Sequence, residues 1–357
     1  MGASEPLRVV ALTAGRNTPS RRYRVAQHVA ALAVHGIAVR EHVAPIPRAD
    51  PVPGRGDPAT SRFRSSTSMK AGYAACKLAA QLPGVAASHR ADVTWLQKEL
   101  LPGYATLERL TGSPRVFDID DAVWLIRPGS EPHIAAVVRS CDLVMAGNDY
   151  LAEWCESRGA DVRVVPTAVD TDRWQPGPAR SGEGFTIGWI GQHSNLGALE
   201  RLEPVLTEVL ADVSSTLVVC SDRRPRLTRL APERVRFISW SERDEVAAVQ
   251  AMDVGLMPLE PGAWAEGKCS MKLLQYLACG IPAVATPTGA NRRAAADGRA
   301  SLLATDHGQW IDAITSLRED PTGRARLGAA GRARVVENYS VTAVSSQIAR
   351  TLRDAAR

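Results

Sequence analysis

The chain has 357 residues, 45% hydrophobic and 23% charged, with a formal net charge of +5. That length favours two domains, each large enough for its own core, in an ordinary soluble globular protein. The positive excess suits an anionic ligand or an anionic membrane surface, and it is too small and too scattered to point to nucleic acid.

Leu7 to Thr13, LRVVALT, is a short apolar run that reads as a buried strand opening a doubly wound sheet. In the following AGRNTPSRRYRVAQHVAALAVHG, Thr18 or Ser20 can cap a helix that begins near Pro19. Val25, Val29 and Leu32 recur at helical spacing, and Gly36 ends the helix. Arg21, Arg22 and Arg24 then fall in the first turn, the unfavourable end of the helix dipole for a cation. A phosphate or carboxylate partner would account for them, and so would a solvated basic face. Ile37 to Val43 is a second strand. Ala44 to Ser68, rich in Pro, Gly, Arg and Ser, reads as a long surface loop, either a lid or plain disorder. Met69 to Leu82 reads as a helix and Asp92 to Leu96 as a strand.

In Pro114 to Trp124, PRVFDIDDAVW, Asp118 and Asp120 share one face of an extended segment and Asp121 can cap the next turn. Three carboxylates at a strand's carboxyl end could bind a metal, orient an acceptor hydroxyl, or brace loops. Cys141 to Ala146, Gly147-Asn148 and a helix from Asp149 to Arg158 repeat the strand, loop, helix order, and Val162 to Val165 closes the sheet. Gln175 to Gly184 reads as an interdomain linker.

FTIGWIGQHSNLGALERLEPVL opens the second domain, with a strand running into Gly188 to Gly191 and a helix from about Asn195. Leu217 to Cys220 and Val235 to Ile238 are further strands. Trp240, just beyond the second of them, could stack on a base or be an ordinary core tryptophan. From Val254 the chain reads strand, loop, helix (Lys268 to Cys279), strand (Ile281 to Ala285), loop, up to Asn291. Such a unit turns its loops and helix N-terminus toward one crevice, where an anion is favoured. Lys268 and Lys272 are four residues apart and expected on one side of the first turns, with Gln275 close by. Helices over Trp310 to Leu317, Thr322 to Val336 and about Val341 to Ala356 finish the chain.

Here GKCSMKLLQYLACGIPAVATPTG resembles the donor-nucleotide signature of family-4 retaining glycosyltransferases of the GT-B fold, in a bacterial branch that reads GKC-x-x-K-x-x-Q-Y. Stretches similar to that branch's S-R-x-Y-R and D-x-D-D-A-x-W also occur, and PTAVDTDRW resembles the P-x-G-V-D-x-x-x-F segment ending the first GT-B domain, with Trp174 at the aromatic position. The resemblance implies an α/β chain of two Rossmann-like domains facing each other across a cleft. Residues 1–174 would form the acceptor domain and 185–339 the nucleotide-sugar domain, with 340–357 a helix crossing back to the first. It implies transfer of a sugar from a nucleoside-diphosphate sugar to an acceptor hydroxyl with retention of anomeric configuration, without cofactor or metal. Lys272 and Lys268 would stabilise the leaving diphosphate, and Asp120 and Asp121 would hold the acceptor. Gly191, Ser194, Asn195, Trp240, Gln275 and Gly289 would bind the donor, and Arg21 or Arg22 an anion or the acceptor. The expected partners are that donor and a small-molecule, glycan or lipid-linked acceptor.

The chain departs from the common pattern of two glutamates seven residues apart: Gln275 stands where the second is usual, Gly267 where the first is, and Glu266 is one place out of register. Gln275 can still bond ribose hydroxyls, or it could simply solvate a helix face. Relatives commonly place an Arg and a Lys after the glycine at 191, where this chain has Gln192 and Leu196 or Gly197. Two rivals follow, a catalytically degenerate nucleotide-sugar binder and a GT-B epimerase. A dinucleotide-binding dehydrogenase is disfavoured because no G-x-G-x-x-G follows the first strand.

Cys76, Cys141, Cys155, Cys220, Cys269 and Cys279 show no paired C-x-x-C spacing, so neither a zinc site nor a disulfide framework is indicated, and reduced cytoplasmic thiols are expected. Without a signal-peptide hydrophobic region or a membrane-length apolar run, any membrane contact is expected to be peripheral.

Overall fold

A computed structural model of the chain describes residues 5–48, 67–178, 184–212 and 214–357. They divide into two compact units, Met1–Pro166 with Val344–Arg357, and Thr167–Ala343. Most of the loop expected over Ala44 to Ser68, and the middle of the linker expected over Gln175 to Gly184, lie outside the described residues.

In the first unit β1 (Leu7–Thr13), β2 (Ile37–Val43), β3 (Val93–Gln97), β4 (Arg115–Ile119), β5 (Leu143–Ala146) and β6 (Val162–Val164) form one parallel sheet in the order β2-β1-β3-β4-β5-β6. The apolar runs of β1, β3 and β5 are buried almost throughout, as strands covered on both faces must be. Strand order reverses between β1 and β3, which puts the unit's switch point there. Its helices are α1 (Pro19–Arg24), α2 (Val29–Val34), α3 (Thr67–Ala79), α4 (Leu82–Ser88), α5 (Ser130–Val138) and α6 (Asp149–Glu156).

The single helix expected from Pro19 to Gly36 is broken. Val25, at φ −126° and ψ −63°, leaves α1, and a 3-10 turn over Ala26–His28 leads into α2. At the break three successive residues, Tyr23, Arg24 and Val25, are all buried. Thr18 occupies the cap position, but its hydroxyl donates to Gly15 O at 2.8 Å and does not cap the helix. Gly36 follows at φ +68°, the left-handed turn at which glycine ends a helix.

In the second unit β7 (Phe185–Ile190), β8 (Ser215–Ser221), β9 (Val235–Ser239), β10 (Val254–Met257), β11 (Ala283–Ala285) and β12 (Leu302–Leu303) form a parallel sheet ordered β12-β11-β10-β7-β8-β9. The helices are α7 (Leu196–Arg201), α8 (Glu203–Val209), α9 (Glu245–Gln250), α10 (Ala263–Glu266), α11 (Met271–Ala278), α12 (Gly289–Ala295), α13 (His307–Glu319) and α14 (Pro321–Asn338). Alternate residues of each strand serve two separate cores. Trp189, Leu217 and Val219 pack with Leu199, Leu206 and Trp310, while Ile190, Val218 and Cys220 pack with Leu273, Tyr276 and Val335.

The first domain was expected to run to Trp174, yet residues 167–174 pack in the second unit. Trp174 is buried in its core, Val169 N–H donates to Tyr339 O at 2.9 Å, and Arg332 Nη2 donates to Thr171 O at 3.0 Å. α15 (Val341–Ala355) buries Val344, Ile348, Ala349 and Leu352, and His28 Nδ1 bonds Ser345 Oγ at 2.8 Å. Among the described residues no helix is long and apolar enough to cross a membrane.

Candidate active site

The second unit's switch point lies between β7 and β10, where the order of strands reverses. β7 ends at Ile190, and Gly191 N–H donates to Cys220 O at 3.0 Å. A Cβ built on Gly191 would lie 2.5 Å from Lys272 Cε and 2.7 Å from the Trp189 ring. The absent side chain is therefore what lets Lys272 lie against this turn, its Nζ 5.5 Å from the Trp189 centroid.

Lys272 is held there through Tyr276, one helical turn further along α11. The tyrosine ring rests on Gly255, where a Cβ would come within 2.4 Å of it. Its hydroxyl accepts from Ile190 N–H at 3.0 Å and donates to Leu256 O at 3.2 Å, so it joins α11 to β7 and β10. Burial pushes this phenol above its ordinary pKa and keeps it neutral.

Lys268 does not join Lys272 on the helix as expected. Ser270 sits in the left-handed region at φ +59°, with its hydroxyl donating to Asn291 Oδ1 at 2.7 Å, and α11 begins only at Met271. Lys268 precedes that turn, its Nζ 4.6 Å from the Trp264 ring. Gln275 lies on α11 and is buried. Glu266 Oε2 accepts from Gly289 N–H at 2.6 Å, and a Cβ on Gly289 would meet Glu266 O at 2.4 Å. The backbone donor of Gly289 is thus engaged by the protein's own carboxylate.

Ser194 and Asn195 stand in a 3-10 turn over His193–Asn195, where Asn195 Nδ2 donates to Ser194 Oγ at 3.4 Å. Beside them His193 Nδ1 lies 2.5 Å from Asp222 Oδ2, and its N–H donates to Asp222 Oδ1 at 2.7 Å. Burial works to raise the Asp222 pKa, but the bonds from His193 prevail and hold it below the ordinary carboxylate range. Trp240 is 42% exposed beyond β9, with its indole N–H donating to Glu245 Oε2 at 3.0 Å. It is a fixed, exposed ring and not a core tryptophan.

In the first unit the carboxylates of D-x-D-D have different partners. Asp118, buried, accepts from Arg24 Nε at 2.9 Å and Nη2 at 2.7 Å, and from Trp95 Nε1 at 3.2 Å. Burial raises its pKa against the pull of Arg24. Asp120 and Asp121 share Lys98, with Nζ 2.8 and 2.7 Å from their oxygens. Burial works to lower the Lys98 pKa, and the two carboxylates reverse this and hold the ammonium above its ordinary range. The expected capping role of Asp121 is not seen. Ala122 precedes the 3-10 turn Val123–Leu125 with no side-chain cap, because the Asp121 carboxylate goes to Lys98. A divalent ion at this motif would have to displace Arg24 or Lys98.

Arg21 finds its carboxylate inside the protein, with Nε and Nη2 donating to Glu41 at 2.6 and 2.7 Å while Thr13 Oγ1 also donates to Glu41. Arg22 lies 5.0 Å over the Tyr23 ring. Sequence reasoning missed Lys98, Glu41, the His193–Asp222 pair and the Tyr276 hydroxyl. The tyrosine carried a signal, since it ends the Q-Y of the motif, whereas the others are set by pairings remote in sequence.

Residues 184–320 match the sequence model of a family described as glycosyl transferases group 1. The chain is 27% identical over 225 residues to a D-inositol 3-phosphate glycosyltransferase of Corynebacterium jeikeium, covering 54% of this chain and 52% of the relative. It is 27% identical over 219 residues to a phosphatidyl-myo-inositol mannosyltransferase of Mycobacterium leprae, covering 58% and 57%. The chain thus spans little more than half the length of these two curated relatives. A GDP-mannose-dependent alpha-(1-6)-phosphatidylinositol monomannoside mannosyltransferase of Mycobacterium tuberculosis is 25% identical over 303 residues, covering 76% and 78%. Among solved structures, Anabaena Alr3699/HepE in complex with UDP and glucose superposes with a TM-score of 0.69 at 15% identity, covering 97% of this chain and 99% of that one. Sucrose-phosphate synthase from Thermosynechococcus elongatus gives 0.72 at 14% identity, covering 97% and 98%. The chain has the GT-B fold, and its residues 184–320 match the model of the group 1 glycosyl transferases.

Proposed function

We propose that this protein is a glycosyltransferase that moves a sugar from a nucleoside-diphosphate sugar to an acceptor hydroxyl with retention of configuration. The observation that carries the reading is Lys272, seated on Gly191 and Trp189 at the switch point of the second sheet, inside the segment that matches the family. A fixed cation there stabilises charge that builds on a departing diphosphate. In this reading the diphosphate leaves on the face where the acceptor attacks and helps to take its proton, so no covalent enzyme nucleophile is needed. Trp240 stacks on the base, Gln275 bonds the ribose, and Lys98 keeps Asp120 and Asp121 oriented toward the acceptor. Lys268 supplies a further positive charge near the diphosphate.

The relatives' names carry GDP-mannose and inositol lipids, and the structural neighbour carries UDP and glucose. Thermal unfolding with a panel of nucleoside diphosphates therefore comes first. A ligand at 100 times its Kd adds about 2.7 kcal/mol to stability. A shift with one base, lost in Lys272→Ala, identifies the donor class, and turnover of Lys272→Ala should fall by about 10²-fold or more. Wild-type turnover in that variant would refute the assignment. A second reading, a donor-binding protein without transfer, draws on Gln192 and on Leu196 or Gly197, which stand where the family it resembles commonly carries an Arg and a Lys that neutralise the donor diphosphate. Stabilisation by a nucleotide without any sugar transfer would favour it.

A further inference from the structure

The turn after β7 offers an anion few backbone donors. Gly191 N–H donates to Cys220 O at 3.0 Å, His193 N–H to Asp222 Oδ1 at 2.7 Å and Asn195 N–H to Gln192 O at 2.9 Å, so alternate amides of the turn are engaged inside the protein. Gln192, Ser194 and Asn195 carry no charge, and Lys272 lies against Gly191 from α11. His193 is the one titratable side chain from Gly191 to Asn195. Its Nδ1 lies 2.5 Å from Asp222 Oδ2, so a single residue engages both oxygens of that carboxylate, at the carboxyl end of β8.

An ionised carboxylate can only accept hydrogen bonds, which puts a proton on Nδ1 and fixes the ring. Nε2, the nitrogen remote from Asp222, has no partner among the described residues, and the side chain is 46% exposed. The two protonation states of the pair act oppositely on an anion. With Nε2 unprotonated, the pair carries the whole negative charge of Asp222, 42% exposed, and repels a phosphate. With Nε2 protonated, the pair is neutral and presents an N–H donor of the charge-assisted kind. The charged groups on the surrounding elements are Lys272 on α11, Arg223 next to Asp222, and two on α7. Of these last, Glu200 accepts from Arg226 N–H at 2.7 Å and Arg201 pairs with Glu260 at 2.7 Å.

We infer that His193 is a proton-switched ligand of the donor diphosphate: Nε2 takes a proton from solvent as the nucleotide arrives and donates it in a hydrogen bond to a phosphate oxygen, while Asp222 positions the ring. The inference rests on the nucleotide-sugar reading and adds to it a second cation, formed only when the anion is present. GDP, UDP, ADP and dTDP are titrated into the full-length protein by calorimetry, at one pH in two buffers of different ionisation enthalpy and then across pH 6–8. For the nucleotide that binds, wild type should take up part of a proton and lose affinity as pH rises, by up to tenfold per pH unit. His193→Gln, which cannot be protonated, should bind about tenfold more weakly at pH 6 and take up correspondingly less. The titration of the phosphate itself is common to both proteins, so the difference between them is the readout. Asp222 stabilises the imidazolium, so Asp222→Asn should move the fall in affinity to lower pH, and an unmoved fall would refute its positioning role. Binding that is lost in Lys272→Ala yet equal in wild type and His193→Gln, with equal proton uptake, would overturn the inference and leave the donor reading standing. No binding of any of the four nucleotides would overturn both.

Discussion

Gly191→Ala tests the seat of Lys272 directly. The new Cβ would lie 2.5 Å from Lys272 Cε and 2.7 and 2.9 Å from two Trp189 ring carbons. Lys272 is a flexible chain and can swing aside, whereas Trp189 is 1% exposed and packed against Leu199, Leu217 and Trp310. The ammonium is therefore displaced first, and the remaining overlap with the ring, several tenths of an ångström, strains the core. Overpacking of this kind costs about 1–3 kcal/mol, and for domains of 150–250 residues each kcal/mol lowers the midpoint by about 2–4 °C. The assay is a pair of measurements on the same preparation, the unfolding midpoint and nucleoside-diphosphate release with a donor sugar. Turnover should drop at least tenfold, out of proportion to the small loss of folded protein. A variant with an unchanged midpoint and wild-type turnover would refute both the close packing and the role given to Lys272.

Two further perturbations probe the first unit. Lys98→Met removes the ammonium that Asp120 and Asp121 share, and removing one partner of a buried pair costs about 3–5 kcal/mol. With side chains 17%, 13% and 23% exposed, solvent screening should bring the loss to the lower end of that range or below it. Urea unfolding reads this loss, and an unchanged midpoint would contradict the pairing. His28, whose pKa burial and then Arg24 lower to about 3, stays neutral in the folded protein while the unfolded chain takes up a proton below about pH 6.5. Stability should accordingly fall as pH drops below 6.5, by up to about 1.4 kcal/mol per pH unit from this residue. His28→Gln should flatten the profile between pH 6 and 4, and an identical slope in both proteins would show that His28 is not shielded from solvent.

Much of the fold was readable because both sheets are parallel and inner strands such as β5 and β10 are buried apolar runs. β1 and β2 begin and end where the residues predict. The helix starts were less readable. Ser270 takes a left-handed conformation because a buried bond to Asn291, 21 residues away, holds it there, and no periodicity reveals that. The same distance problem hid the carboxylate chemistry. Asp118 and Asp120 look equivalent in an extended segment, yet the parallel pairing of β3 with β4 brings Lys98 to one, while the break after α1 delivers Arg24 to the other. Lys272 could be singled out from its place in the motif, but its contact with Gly191 depends on how α11 crosses the end of β7.

The grouping of α15 with the first unit bears on how the protein is made. The last fourteen residues complete a body whose other parts end at Pro166, through His28 with Ser345 and Arg353 with His35 O. The second unit is one uninterrupted segment. The second unit can therefore form from contiguous chain, whereas the first must close a loop as long as the whole second unit before α15 can dock, an entropic cost the second never meets. In refolding, amides of the second unit should gain hydrogen-exchange protection before those of β1 and α15, and simultaneous protection would contradict this order.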